Sequence, residues 1–195
     1  TITWTNTGTV SKVKLEYTKD GSNYSLIADN VDNGANGGSL SWPGGVADAI
    51  SSTVKVRVSD AVSGHPAASD VSAANFRIKG ALSITAPALN DFWEIGRVYQ
   101  INWDTAGSID TVKIEYCTDG AFAPATTYTI AAAAPNTGLD KGKYNWTVLD
   151  TATATAKIRI TDTSAGNSDV TDSSGNFHIR GYFQMLSPNG GEKWK

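Results

Sequence analysis

Cysteine is nearly absent from the sequence, and the side chains that most catalytic and metal sites need are also scarce. The single cysteine, Cys117, excludes a disulfide within the chain, although a domain of about 100 residues is large enough to be stable without one. The two histidines, His65 and His178, have no Cys or His partner at zinc-site spacing. No G-x-S-x-G motif or comparable nucleophile motif occurs. We therefore expect neither an enzyme nor a bound cofactor.

Long hydrophobic runs and an excess of one charge are missing too. No stretch approaches the roughly 20 apolar residues of a membrane helix. The net charge of -3 and the pI near 5.3 provide no basic surface for nucleic acid or an anionic membrane. No cationic leader stands at Thr1, so we expect any export signal to lie outside this stretch or to have been removed. The abundance of Thr, Ser, Ala, Gly, Asn and Asp favours an extracellular location.

The sequence contains an internal repeat with a period of about 100 residues. SKVKLEYTKDG at residues 11–21 aligns with DTVKIEYCTDG at 110–120, an offset of 99. Two further pairs align at offsets of 102 and 101, namely VKVRVSD at 54–60 with AKIRITD at 156–162, and NFRIKG at 75–80 with NFHIRG at 176–181. The offsets differ because loops differ in length. The pattern predicts tandem copies of one domain.

The boundaries of the repeats do not coincide with the ends of the sequence. Residues 81–181 form one complete copy, whereas residues 1–80 lack its opening strand. That opening pattern returns at residues 182–195, in QMLSPNGGEKW. We expect either a stretch of a longer covalent array or an assembly in which the tail of one chain completes the next.

Each copy reads as an all-β sandwich. Short alternating segments are separated by turn signals every 8–14 residues. Val112, Ile114 and Tyr116 alternate with polar residues, which predicts a strand with one buried and one solvent-exposed face. About seven strands per copy are expected, as in immunoglobulin-like and fibronectin-like sandwiches. Glu115 and Arg159 should lie on neighbouring strands, on a solvated face of mixed charge.

Aromatic residues recur at matched positions, which favours packing over binding. Tryptophan dominates the cores of sandwich domains, and a ligand platform would be specific to one copy. Phe122 stands in a loop that is longer in the second copy, so it is the candidate ligand contact. The recurring pairs are Trp4 with Trp103, Trp42 with Trp146, and Trp93 with Trp194.

Aspartates recur near one loop and are the candidate calcium ligands. The pairs are Asp60 with Asp162 and Asp70 with Asp169. Surface β-repeats hold calcium through such carboxylates, but the same residues also form ordinary turns. The sequence contains no EF-hand pattern, and both interpretations stay open.

The motif SPNGGEKW at residues 187–194, together with ITW at residues 2–4, resembles a known family. It resembles the Ig-like repeats of large secreted and cell-surface bacterial proteins. More distantly, the chain is similar to the N-terminal Ig-like domain of fungal Ser/Thr-rich, GPI-anchored cell-wall proteins. The segment APALNDFW at residues 86–93 departs from the pattern because it lacks Gly-Gly-Glu. The resemblance implies a stalk, spacer, adhesive or wall-associated module without catalytic residues.

These observations favour a structural role at the cell surface, as a rod, sheath or filament of stacked sandwiches. Its partners would be adjacent repeats or neighbouring copies of the chain. The expected assembly residues are Gln184, Met185, Leu186, Pro188 and Trp194. The alternative is a binding module for extracellular or cell-wall polysaccharide, or for a protein partner, with Phe122 in its surface.

Overall fold

The computed structural model describes residues 1–43, 45–62, 64, 68–164, 166–188, 190–191 and 193. Within these ranges the chain folds into β-strands, with two short 3₁₀ helices at Pro124–Thr126 and Gly138–Asp140 and no α-helix. The prediction of an all-β fold is therefore confirmed. The chain divides into two compact units, Thr1–Gly80 (unit 1) and Ala81–Lys195 (unit 2).

Unit 1 is built from two antiparallel sheets. The first contains only β1 and β4, and the second has the order β3-β2-β5-β6 with β7 also paired to β5. The strands are β1 (Ile2–Thr5), β2 (Lys12–Thr18), β3 (Tyr24–Asp32), β4 (Gly37–Leu40), β5 (Ser51–Asp60), β6 (Ser69–Val71) and β7 (Phe76–Ile78). Gly37, at φ +122°, allows β4 to approach β1 closely, since a Cβ there would lie 2.2 Å from the Trp4 carbonyl oxygen.

Unit 2 contains nine described strands in two sheets, two strands more than expected. One sheet has the order β13-β10-β8, and the other has the order β12-β11-β14-β16-β9 with β15 paired to β14. The strands are β8 (Ala81–Ala86), β9 (Phe92–Glu94), β10 (Val98–Ala106), β11 (Thr111–Cys117), β12 (Thr127–Pro135), β13 (Lys143–Thr147), β14 (Thr153–Asp162), β15 (Thr171–Ser173) and β16 (Phe177–Arg180). The short strand β9 pairs in parallel with β16.

One aromatic core joins the two sheets of unit 2. The Trp146 ring on β13 lies 4.9 Å from the Tyr116 ring and 6.0 Å from the Trp93 ring, both on the opposite sheet. Trp93 also stacks on Tyr99 at 4.9 Å and meets Phe177 at 5.0 Å. Such contacts add to the burial of large apolar area. The packing interpretation is thus confirmed for the three buried tryptophans, Trp93, Trp103 and Trp146.

The central strand pair has the same register in both units. Glu16 on β2 lies opposite Arg57 on β5, and Glu115 on β11 lies opposite Arg159 on β14. The register of β2 on β3 shifts twice just before Glu16, and the register of β11 on β12 shifts at the two equivalent places before Glu115. A one-residue slip would turn every side chain to the other face, so equal registers place equivalent residues in equivalent surroundings.

A buried asparagine holds the core tryptophan of unit 2. The Trp103 Nε1–H donates to Asn136 Oδ1 over 3.0 Å, and Asn136 Nδ2 donates to the Ile109 carbonyl over 2.8 Å. The Gly142 N–H also donates to Asn136 Oδ1. In unit 1, Trp4 Nε1 donates to Asn33 Oδ1 over 2.8 Å at a half-buried site. The amide therefore ties a loop to the tryptophan strand in each unit.

We predict that Asn136→Ala lowers the free energy of unfolding of unit 2 by about 1–3 kcal/mol for each buried group that it leaves unpaired. Asn33→Ala is the matched control, and its cost should be smaller because water reaches the half-buried Trp4 site. Urea unfolding followed by far-UV circular dichroism measures both. Equal losses for the two variants would contradict the account.

Cys117 provides a probe of unit 2 alone. Its side chain is 0% exposed within β11, and it is a free thiol. We predict that a thiol reagent such as dithionitrobenzoate does not react with the folded chain, and that labelling in urea follows the unfolding of unit 2. Rapid labelling under native conditions would contradict this placement.

Candidate functional site

Unit 1 has an open groove beside β1. On one edge β1 pairs with β4, while within the described ranges no strand pairs with its other edge. A groove of about 320 Å³ follows that edge between β1 and the strands β5 and β6, and its lining includes Trp4, Val58 and Asp70. A second cleft of about 210 Å³ is lined by the same three residues. We call the two together the open groove.

In unit 2 the equivalent place is filled by β8. This strand pairs antiparallel with β10, with Ile84 opposite Trp103 and Leu82 opposite Thr105. The Ile84 N–H also donates to Asp172 Oδ2 on β15 over 2.7 Å. β8 therefore joins one sheet through its backbone, and it lies against β14 and β15 of the other sheet, where Asp172 accepts its hydrogen bond.

Equivalent side chains are more deeply buried in unit 2, which has β8, than in unit 1. The inward-facing residues beside β8 are buried in unit 2, whereas their counterparts in the open groove are only half-buried. The buried residues are Ile101, Trp103, Ile158 and Ile160, and the half-buried ones are Ile2, Trp4, Val56 and Val58. Unit 1 thus has half-buried, partly solvent-exposed apolar side chains along the unpaired edge of β1.

A second opening in unit 1 lies where β9 stands in unit 2. Phe177 is 0% exposed because Trp93 of β9 packs against it, but the equivalent Phe76 is 37% exposed. Trp42 is half-buried and contacts the Tyr17 ring at 5.2 Å. Unit 1 therefore lacks described partners for two groups of core side chains, one beside β1 and one beside β7.

The expected assembly residues follow β16 in the sequence. We call residues 182–188 the trailing segment; they form no strand. Phe183 is 104% exposed and Met185 is 70% exposed, and Gln184, Leu186 and Pro188 are exposed as well. Trp194 lies outside the described residues. The assembly role of these residues stays a prediction.

The candidate calcium ligands occupy turns and strand ends. Asp60 Oδ1 accepts from the Val62 N–H over 2.8 Å, and Asp162 accepts from the Ser164 N–H and from Asn167 Nδ2. Over the part of the chain that the structure describes, no group of three or more His, Cys, Asp or Glu side chains is placed to hold a metal ion. Calcium binding stays a prediction.

One of the aspartate pairs was matched wrongly in the sequence. Asp70 lies opposite Val58, and Asp172 lies opposite Ile160, the residue equivalent to Val58. Asp70 therefore corresponds to Asp172 and not to Asp169. The loops before β6 and β15, residues 61–68 and 163–170, have the same length, so the offset of 102 that aligns β5 with β14 also aligns Asp70 with Asp172. The change of offset to 101 falls after these two strands. The corrected pair places an aspartate at the open groove.

Phe122 covers an arginine of its own unit. Its ring centroid lies 4.3 Å from Arg159 Cζ, and the equivalent Arg57 is covered by Tyr24 at 3.6 Å. Asp119 shapes the loop by accepting from the N–H groups of Ala121 and Phe122. Each unit thus places an aromatic ring on its arginine, although Phe122 comes from a loop and Tyr24 from the first position of β3. A ligand contact at Phe122 stays a prediction, and His65 lies outside the described residues.

Glu115 and Arg159 lie on neighbouring strands, as predicted, but Glu115 is buried and does not lie on a solvated face. The equivalent Glu16 is buried as well. Arg159 Nε and Nη2 both donate to Glu115 Oε2, at 3.1 and 2.7 Å, and Lys113 Nζ lies 2.5 Å from Glu115 Oε1. Burial by itself raises the pKa of Glu115, but the hydrogen bonds and charges of Lys113 and Arg159 outweigh it, so the pKa lies below its ordinary value. Glu16 is held in the same way by Arg57 and Lys14.

Comparison with known proteins agrees with this architecture. Residues 86–179 match the family model of the Kre9/KNH-like N-terminal Ig-like domain. The match covers most of unit 2 and supports an Ig-like fold there, in line with the resemblance to fungal cell-wall proteins. The resemblance to bacterial repeats stays a prediction.

Solved and curated proteins add little more. The fibronectin(III)-like modules of Clostridium thermocellum CbhA are similar to the chain at 14% identity, over 92% of this chain and 83% of that one, with a TM-score of 0.33. No curated protein matches the sequence. None of the helices that the structure describes has the length and apolar character needed to span a membrane.

We predict that Glu115→Gln lowers the free energy of unfolding of unit 2 by about 1–3 kcal/mol at neutral pH, since charge-assisted hydrogen bonds are lost. A lowered pKa means that the ionised carboxylate stabilises the folded state above the ordinary glutamate pKa. This contribution is lost as the pH falls through the lowered value of the folded state.

The variant should therefore lose less stability than the parent chain between neutral and acid pH. Urea titrations at several pH values, followed by Cys117 labelling, measure how steeply the free energy of unfolding changes with pH. Asp150→Asn, which changes an exposed carboxylate in unit 2, is the control and should keep the parental slope. An unchanged slope in Glu115→Gln would contradict the assignment.

Proposed function

We propose that the chain is a structural module of a protein of the cell exterior, in which Ig-like repeats follow one another as a stalk, sheath or filament. The observation that carries this proposal is the agreement between the two units in strand register, in the Glu–Arg pair and in the Trp–Asn hydrogen bond. Agreement in such buried detail is expected of tandem copies of one domain. We infer that unit 1 is a repeat without its opening strand, that residues 81–181 are a complete repeat, and that residues 182–195 open a further one.

The chemistry of the buried polar groups supports a non-catalytic role. Glu115 is held by Arg159 and Lys113, and Asn136 is held by Trp103, Ile109 and Gly142, so these groups serve the fold. A general base or nucleophile would instead have to be aimed at a site for substrate. The match of residues 86–179 to an Ig-like domain family of cell-wall proteins supports an exterior location.

Surface labelling of intact producing cells tests the proposal. We expect antibodies raised against residues 81–181 to label the outside of the cells, and mild external protease to release fragments that contain these residues. An abundant cytosolic protein serves as the control for lysis. Recovery of the chain only in the cytosol, with the outside unlabelled, would contradict the proposal.

A further inference from the structure

We propose that a cleft beside the edge strand β13 of unit 2 binds a neutral polysaccharide. This inference goes beyond the proposed structural role, because it assigns a binding function to one of the two repeats. We call this place the β13 cleft, and all of its lining residues lie within the complete copy of the repeat, residues 81–181.

The β13 cleft has a volume of about 350 Å³, within the range of about 300–1,000 Å³ that is usual for ligand sites. It is formed by β10, the end of β12, the second 3₁₀ helix and β13. β13 is the edge strand of its sheet, and within the described ranges no strand pairs with its outer edge. The lining residues are Gln100, Pro135, Asp140, Lys143, Tyr144 and Asn145.

The polar side chains of the β13 cleft keep most of their hydrogen-bonding groups available for a ligand. Gln100 Nε2 donates to Asn145 Oδ1 over 3.2 Å, and the two residues lie opposite each other on β10 and β13. Among the residues that the structure describes, Asp140 and Lys143 have no ion-pair partner. Amides both donate and accept, a carboxylate accepts and an ammonium donates. Together they match sugar hydroxyls, which also donate and accept.

Tyr144 and Pro135 supply the apolar surface of the β13 cleft. Tyr144 is half-buried and Pro135 is exposed. A sugar ring has apolar C–H faces and a rim of hydroxyl groups, so a site for it needs an apolar surface beside hydrogen-bonding groups, and tyrosine provides both. The charges of Asp140 and Lys143 balance, so the cleft favours a neutral ligand over an ionic one.

The composition of the cleft also favours a saccharide over a protein partner. A stable protein interface buries about 800 Å² on each side around large apolar anchors. The β13 cleft instead combines one half-buried aromatic ring and one proline with four exposed polar side chains.

The loop that carries Asp140 is fixed in place by the buried amide of Asn136. Asn136 Oδ1 accepts from the Gly142 N–H, and the Trp103 N–H donates to the Gly142 carbonyl over 2.9 Å. Gly142 has φ +75°, and a Cβ there would lie 2.5 Å from the Trp103 carbonyl oxygen, so this position needs glycine. Asp140 is therefore held near its binding position before a ligand arrives, which lowers the entropic cost of binding.

The residues of the β13 cleft are specific to unit 2. Strand register aligns them with different residue types in unit 1, and the loop of unit 1 between Asn33 and Ser39 contains no acidic residue. Framework residues recur in both copies, whereas a ligand platform is expected in one copy only. The aligned pairs are Pro135 with Asp32, Lys143 with Ser39, Tyr144 with Leu40, and Asn145 with Ser41.

Affinity electrophoresis of the 195-residue chain tests the proposal. Native gels would contain increasing concentrations of hydroxyethyl cellulose, laminarin, mannan or xylan, and a gel without polysaccharide gives the reference mobility. We expect at least one of these neutral polysaccharides to retard the chain more strongly as its concentration rises. Polygalacturonate, an acidic polysaccharide, should not retard it.

Tyr144→Leu introduces the residue type that unit 1 has at this position, so an apolar side chain still packs there. It should weaken binding at least about tenfold, because the aromatic surface is lost. Tyr128→Leu is the control, since it removes an exposed ring of unit 2 outside the cleft, and it should bind like the parent chain.

The polar side of the cleft is tested separately. Asp140→Ala should also weaken binding about tenfold, whereas Asp150→Ala, which removes an exposed carboxylate of unit 2 outside the cleft, should leave binding unchanged. Far-UV circular dichroism and the unlabelled state of Cys117 verify that each variant is folded.

A chain that none of the four neutral polysaccharides retards would overturn the proposal. Retardation by polygalacturonate alone would also overturn it, as would equal retardation of the parent chain, Tyr144→Leu and Asp140→Ala. Surface labelling of cells is a separate result, so failure of polysaccharide binding and failure of the exterior location are distinguishable.

Discussion

The unpaired edge of β1 is the constraint from which the other properties of unit 1 follow. Backbone N–H and C=O groups along a strand need partners, and an apolar wall beside them favours another strand over water. In unit 2 the same need is met by β8, and the core beneath it is closed. Covering a large apolar side chain is worth about 1.5–3 kcal/mol, so the half-buried Val56 and Val58 give unit 1 less of this stabilisation than the buried Ile158 and Ile160 give unit 2.

The framework of both units was largely readable from the sequence. The alternation of Val112, Ile114 and Tyr116 predicted a strand with a buried face, and the tryptophans of unit 2 lie in the core as expected. The two strands of unit 2 that were not predicted, β9 and β15, have three residues each. A segment that short carries no measurable periodicity, and the strands form because the neighbours β16 and β14 offer free edges.

The features that the sequence could not reveal depend on contacts between distant residues. Alternation placed Glu115 on a solvated face, because it cannot show that Arg159 of a neighbouring strand pairs with the carboxylate and that the Phe122 ring of a loop covers this arginine. The open groove depends on which strands pair with each other. The sequence pattern shows which segments can form strands, but it does not show how they pair.

Hydrogen–deuterium exchange along β1 tests the central account most directly, because it observes the edge on which the argument depends. Exchange of the peptide covering residues 2–7 would be compared with exchange of residues 101–106, the equivalent stretch of β10, which has β8 and β13 as neighbours. The account predicts faster exchange in residues 2–7 than in residues 101–106. Equal exchange of the two peptides would contradict it.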